Sequence, residues 1–378
     1  MQKIIFFIFL LLLVSCDDKT QEISLLKVEV LNNYSQIAYQ NYQDAYLQAQ
    51  VLQREISNFL ANPSDSSYEN TKKAWLLARS VYGQTEVFRF YGSPIDDPKA
   101  NLEPQINAWP LDESYIDYVE GNPKSGIIND LSIVIDKETL RKKNEQDGVE
   151  ENVSIGYHAI EFLLWGQDLS KENAGKRSYT DYTKATNADR RGQYLLLCTE
   201  LLVEDLQKIV GEWDASKDAN YRANFMKNPD ESLANILTGM GSLSRAELGG
   251  ERMRVALVNH DQEDETSCFS DNTHNDILAN VQGMINIYHG KYKSVQGKGL
   301  ADLIERIDKT VNEQMKNNLA ATLAAVSTFQ PPFDREISGD NPEGNTRIQQ
   351  AIRALDTQTV AIEQIAKLLN VGINTKGS

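Results

Sequence analysis

Apolar residues recur at helical spacing along most of this chain, and that pattern leaves few fold classes open. Between positions 190 and 213, Leu195, Leu196, Leu202, Leu206 and Ile209 fall on one face of a 3.6-residue period. The same spacing runs over 25–60 and stops before Asn62-Pro63. It returns over 68–91, with Asp65 or Ser66 as a cap and Gly92-Ser93-Pro94 as a stop. Further helices are predicted over 153–165, 233–258, 277–288, 300–326 and 345–369, with short elements at 110–120 and 125–135. Gly239, Gly241, Gly249 and Gly250 inside the 233–258 pattern predict close helix approach or breaks. Alternating strand pattern is scarce. The expectation is all-α: two four-helix-bundle-like bundles packed together, over 24–213 and 214–370, joined at the polar stretch 214–220. Each half has a long helix leading into an acidic loop (Asp96-Asp97, and the run from Asp261 to Glu265), which fits an internal duplication.

The first residues belong to a different signal. Lys3 precedes an unbroken apolar run over 4–14, too short to span a bilayer and of the length of a secretory leader. The run ends in Leu13-Val14-Ser15-Cys16, the pattern of a bacterial lipobox. Residues 1–15 therefore read as a signal peptide, Cys16 as the lipidated residue and 16–23 as a tether. The expected location is the bacterial envelope, with the membrane as a partner through the lipid. The formal net charge of −16 lacks the basic footprint of a nucleic-acid binder and disfavours adhesion to anionic lipid. An oxidising envelope permits a disulfide between Cys198 and Cys268, but Cys198 follows Tyr194-Leu195-Leu196-Leu197 and also reads as a core residue.

Chemistry concentrates in Gly156-Tyr157-His158-Ala159-Ile160-Glu161. His158 and Glu161 are three residues apart in a strongly apolar segment, so a helix places them on one face. They either satisfy each other or hold a metal, because buried ionisable groups need a partner. Two ligands are too few for a zinc or iron site. Asp271 and His274 repeat the carboxylate–imidazole offset and are the candidates to complete it, although Asp271 also suits a cap for the helix near Thr273. Glu247 and Glu251 share a face, with Arg245 and Arg252 placed to neutralise them. Trp109 and Asp112 mark another candidate segment, where Asp112 suits a helix cap. The chain has no H-E-x-x-H, G-x-S-x-G, Walker A, G-x-G-x-x-G or C-x-x-C-H pattern.

Taken together, Gly156, His158 and Glu161 as G-x-H-x-x-E, the 107–112 segment, the 247–253 segment and the 268–276 segment resemble the imelysin family. This is also called the M75 peptidase family, and the resemblance is to its iron-regulated envelope branch. It implies two helical bundles with a site between them centred on His158 and Glu161, and a role in iron acquisition. The implied cofactor is iron or zinc, with haem left open, and the implied partner is a metal or iron-containing small ligand. An outer-membrane uptake system is a further implied partner. The family label also carries a metallopeptidase alternative, and a non-catalytic docking protein for an iron or haem transporter is a third reading.

Overall fold

Long helices make up the molecule, as their apolar spacing requires. The computed structural model describes the backbone of residues 2–377 and the side chains of residues 20–377. The side chains of the leader and Cys16 lie outside the described residues. Helix α1 (Gln2–Ala61) buries Leu31, Tyr34, Ala38, Tyr42, Ala45, Ala49, Leu52, Ile56 and Phe59, steps of three and four that form one continuous stripe. Helix α2 (Asp65–Gly83) turns back along it, capped by Ser64 and Ser67 in a reciprocal box rather than by Asp65 or Ser66. The predicted helix to residue 91 stops eight residues early. Thr85 bonds back to the Tyr82 carbonyl with both its N–H and its hydroxyl, which competes with helix propagation.

Short helices follow: α3 (Leu102–Asn107), α4 (Glu113–Ile116) and α5 (Lys137–Lys143). The predicted element at 125–135 is instead a series of turns, set by Gly126 at φ +87°. Helix α6 (Gly156–Trp165) is buried at every position, as a helix apolar all round must be. The long α7 (Ala188–Trp213) completes a group with α1, α2 and α6.

Beyond residue 213 come α8 (Tyr221–Phe225) and α9 (Pro229–Ser242), which continues as a π-helical stretch over Leu243–Val255 into α10 (Ala256–Asn259). The glycines of this region do what their number predicts. A Cβ on Gly239 would lie 2.6 Å from the Val87 carbonyl oxygen, and Gly249 and Gly250 sit in the widened stretch. Then come α11 (Thr273–His289), a two-residue hairpin of β1 (Lys291–Tyr292) and β2 (Val295–Gln296), α12 (Leu300–Ile307), α13 (Lys309–Val326), α14 (Phe333–Ile337) and α15 (Pro342–Leu369). The predicted 300–326 helix divides at Asp308, whose carboxylate caps α13 by accepting from the Thr310 and Val311 N–H groups.

Helix α15 packs on α13, α9 and the π-helical stretch, while α2 packs on α11. Buried residues from both sets of helices join one apolar cluster. The fold is thus all-α apart from the hairpin. No helix among the described residues is long and apolar enough to cross a membrane. Cys198 and Cys268 are buried and free.

Candidate functional site

Helix α6 begins abruptly, and its first residue explains why. Gly156 has φ +89°, and a Cβ there would lie 2.7 Å from the Ile106 carbonyl oxygen on α3. The preceding Ser154 N–H is held by the Asn144 side chain. At the other end, carbonyls that α6 itself cannot satisfy accept hydrogen bonds from outside. Tyr182 Oη donates to Leu163, Tyr68 Oη to Leu164 and Arg177 N–H to Trp165. The short helix is therefore fixed at both ends, and His158 and Glu161 face each other from successive turns.

The His158 Nδ1 to Glu161 Oε2 distance is 2.9 Å, and both side chains are fully enclosed. Oε1 of Glu161 accepts from the Ser270 N–H at 3.0 Å and the Ser270 hydroxyl at 2.6 Å. Both carboxyl oxygens of Glu161 are thus used. Nε2 of His158 is buried and has no hydrogen-bond partner. Burial, followed by the charges of Arg79 and Arg252, holds the imidazole well below its ordinary pKa, so it is neutral. Burial also pushes the Glu161 carboxyl up to about 8, against the pull of the Ser270 hydrogen bonds.

Behind the pair lies a network of buried charge. Arg79 Nε reaches Asp276 at 3.0 Å, and Arg79 Nη1 donates to Asn107. Asp276 also accepts from the Ser267 hydroxyl at 2.6 Å and from Asn272 Nδ2 at 3.0 Å. Arg252 spans Glu86 at 2.7 Å, Glu247 at 2.7 Å and Asn280 at 2.7 Å. Arg89, Arg252 and Arg79 overcome the burial of Glu86 and hold its carboxyl down at about 2. The segment over 265–276 is therefore attached to α6 through Ser270 and to α2 through Asp276.

The other candidates from the sequence are spread around this centre. No three of His158, Glu161, Asp271 and His274 bring ligand atoms within 4.8 Å of one another; among the described residues, the group that does so is Asp168, Asp271 and Asp334. Asp271 does not cap α11. Asn272 occupies the cap position, and Asp271, at φ +57°, leaves Oδ1 buried without a partner. His274 is half-buried, with Nδ1 unpartnered and its pKa lowered mainly by burial. Glu247 pairs with Arg252 as expected, but Arg245 turns to Glu363 at 2.7 Å, and Glu251 is exposed. Trp109 Nε1 donates to the Glu265 carbonyl at 2.6 Å, and Asp112 caps α4 through the Ser114 N–H.

Arg79, Ser270 and Asp276 are the residues whose roles sequence reasoning missed. Arg79 carried a signal: it lies on the buried face of α2, four residues after Trp75 and three before Tyr82. A charge on an otherwise apolar stripe needs a buried partner.

The profile of the family described as Imelysin matches residues 38–362. The chain is 22% identical over 339 residues to iron-regulated protein A of Synechococcus elongatus, covering 87% of this chain and 82% of that protein. Its fold resembles a crystal structure described as an iron-regulated protein A precursor from Parabacteroides distasonis. The TM-score is 0.74 at 19% identity, covering 91% of this chain and 95% of that one. An imelysin-like protein from Psychrobacter arcticum superimposes with a TM-score of 0.66 at 14% identity, over 93% and 98% of the two chains.

Proposed function

Because the chain belongs to the imelysin family, we propose that it is an iron-handling lipoprotein of the bacterial envelope that binds a metal-containing ligand through His158. In this reading Cys16 carries the lipid, and the body of the protein collects its ligand for an uptake system in the membrane. The name of the Synechococcus relative and the lipobox pattern support the setting.

The observation that carries the reading is Nε2 of His158: a buried nitrogen without a partner on a neutral ring whose other nitrogen is held by a carboxyl group. Metal-binding histidines are commonly oriented in this way, the second nitrogen engaged by a carboxylate or carbonyl. Glu161 then serves as the orienting residue, with Ser270 orienting it in turn. The pair offers one free ligand atom. That suits iron or zinc arriving with ligands of its own, such as a ferric chelate, better than a bare ion needing a protein cage. A metal bound there would act as the cargo to be held. Glu161 is a poor general base, since both of its oxygens are already engaged, one by Ser270 and one by His158.

Calorimetric titration with ferric citrate and with Zn²⁺ tests this. Wild type is expected to bind one equivalent, His158→Ala to bind none, and Glu161→Gln to bind roughly 10–100-fold more weakly. Equal binding by wild type and His158→Ala removes His158 from the site. Chelator-sensitive cleavage of a protein substrate that is lost in Glu161→Gln would instead support the metallopeptidase alternative.

A further inference from the structure

Four acidic side chains outside the His158–Glu161 pair converge near the end of α6. Asp168 follows that helix, Glu265 and Asp271 belong to the segment before α11, and Asp334 is on α14. Asp168, Asp271 and Asp334 each place a carboxylate oxygen within 4.8 Å of the other two. Glu265 is fully buried, and neither of its oxygens has a hydrogen-bond partner. It lies six residues before Asp271 on the same segment, and burial first, then the charges of Asp334 and Asp271, push its carboxyl well above the usual carboxylate range. Both oxygens of Asp334, Oδ2 of Asp168, Oδ1 of Asp271 and the neighbouring Thr266 hydroxyl are likewise buried without partners.

No cation among the described residues compensates this charge, and none of the four carboxylates is in an ion pair there. Arg335, next to Asp334, turns away to Glu172 at 3.4 Å and Asp340 at 3.5 Å. Asp168 Oδ1 accepts from the Ser170 N–H at 3.0 Å, but the other buried oxygens of the cluster face no countercharge, an arrangement that is strongly unfavourable unless protons or a metal relieve it. The protein elsewhere satisfies its buried acids thoroughly: Asp117, Glu86 and Asp276 each receive at least one guanidinium. The cluster departs from that rule at four positions drawn from three distant stretches of chain.

We propose that Asp168, Glu265, Asp271 and Asp334 form a binding site for a hard, oxygen-ligated cation of the Ca²⁺ and Mn²⁺ class, separate from the His158 site. The four carboxylates are oxygen donors throughout, which suits such ions; a thiolate and imidazole set would suit zinc. A bound ion ties the loop after α6 and helix α14 to the 265–276 segment that also carries Ser270.

Thermal unfolding at neutral pH with CaCl₂ or MnCl₂, together with the Mn²⁺ EPR signal of free ion, tests the proposal. The wild type is expected to gain several degrees in Tm at millimolar Ca²⁺ or Mn²⁺, and to remove about one equivalent of Mn²⁺ from the free signal. Asp334→Asn is expected to fold, with an unchanged or higher Tm in chelator because one repelling charge is gone, and to lose both metal effects. His158→Ala is expected to keep them, so this site and the histidine site succeed or fail independently. No Tm gain and no Mn²⁺ uptake by the wild type overturns the proposal, as does full retention of both by Asp334→Asn.

Discussion

Replacing Asp117 with alanine is expected to destabilise the protein by about 3–5 kcal/mol, a drop in Tm on the order of 10 °C. Asp117 is completely buried and serves two guanidinium groups at once. Arg177 Nη1 lies 2.5 Å from Oδ2, while Arg191 grips both oxygens, Nε at 2.7 Å and Nη2 at 2.9 Å. Fork-to-fork geometry of the second kind is the strong form of the interaction. Arg177 also lies over the Phe162 ring of α6, 5.1 Å from its centroid. Removing the carboxylate leaves two buried positive charges. Arg177 keeps only a 3.4 Å approach to Asp181, and Arg191 keeps backbone carbonyls. The exposed Glu138–Lys142 pair is the control, and its removal is expected to leave the unfolding transition almost where it was.

The effect depends on pH with a definite sign. Burial alone would raise the Asp117 pKa, but the Arg191 hydrogen bonds and the charges of Arg177 and Arg191 outweigh it and lower the value. A depressed carboxylate stabilises the fold above its unfolded pKa, and that stabilisation is lost as pH falls through the folded value. The gap between wild type and Asp117→Ala should therefore be full at pH 7 and narrow below about pH 4. Urea unfolding at the two pH values measures it. A gap that stays constant in acid would show that lost packing, not lost charge, dominates.

Gly156→Ala is expected to cost more than about 3 kcal/mol, for two separable reasons. The backbone is in a region that an L side chain adopts at a cost of about 1–2 kcal/mol. The new Cβ would also meet Ile106 O at 2.7 Å, Ile106 C at 2.9 Å and Gln105 O at 3.1 Å, all backbone atoms unable to swing aside. Gly92→Ala isolates the first effect, because Gly92 has φ +73° with nothing within 4 Å of where the methyl group would sit. The difference between the two substitutions in denaturant titration is the contribution of the close approach. Equal values would mean that α3 yields to the methyl group, and the glycine of the motif would then be explained by its φ alone.

What could be read from the sequence was local. Helix faces were legible because burial repeats along each helix, and so was the meeting of His158 with Glu161 one turn apart. Contacts between distant segments were not. Nothing near Glu161 announces that Ser270 will take its second oxygen, 109 residues away. Asp168 and Asp334 sit in ordinary polar stretches of sequence, and only the topology brings them to Asp271. The cap position expected of Asp271 falls on its neighbour Asn272, a one-residue displacement that leaves the Asp271 carboxylate to the cluster. The π-helical stretch over Leu243–Val255 was also hidden, since its apolar spacing passes for that of an ordinary helix.

The central claim is that a metal-containing ligand meets the protein at His158 Nε2. Crystals grown with ferric citrate or with Zn²⁺, and measured at the iron and zinc absorption edges, test it most directly. An anomalous peak is expected about 2.0–2.2 Å from Nε2, absent from His158→Ala crystals, with Nδ1 still facing Glu161. Peaks confined to the Asp168–Asp271–Asp334 cluster, or a stoichiometric metal whose peak lies away from the imidazole in both proteins, would contradict it.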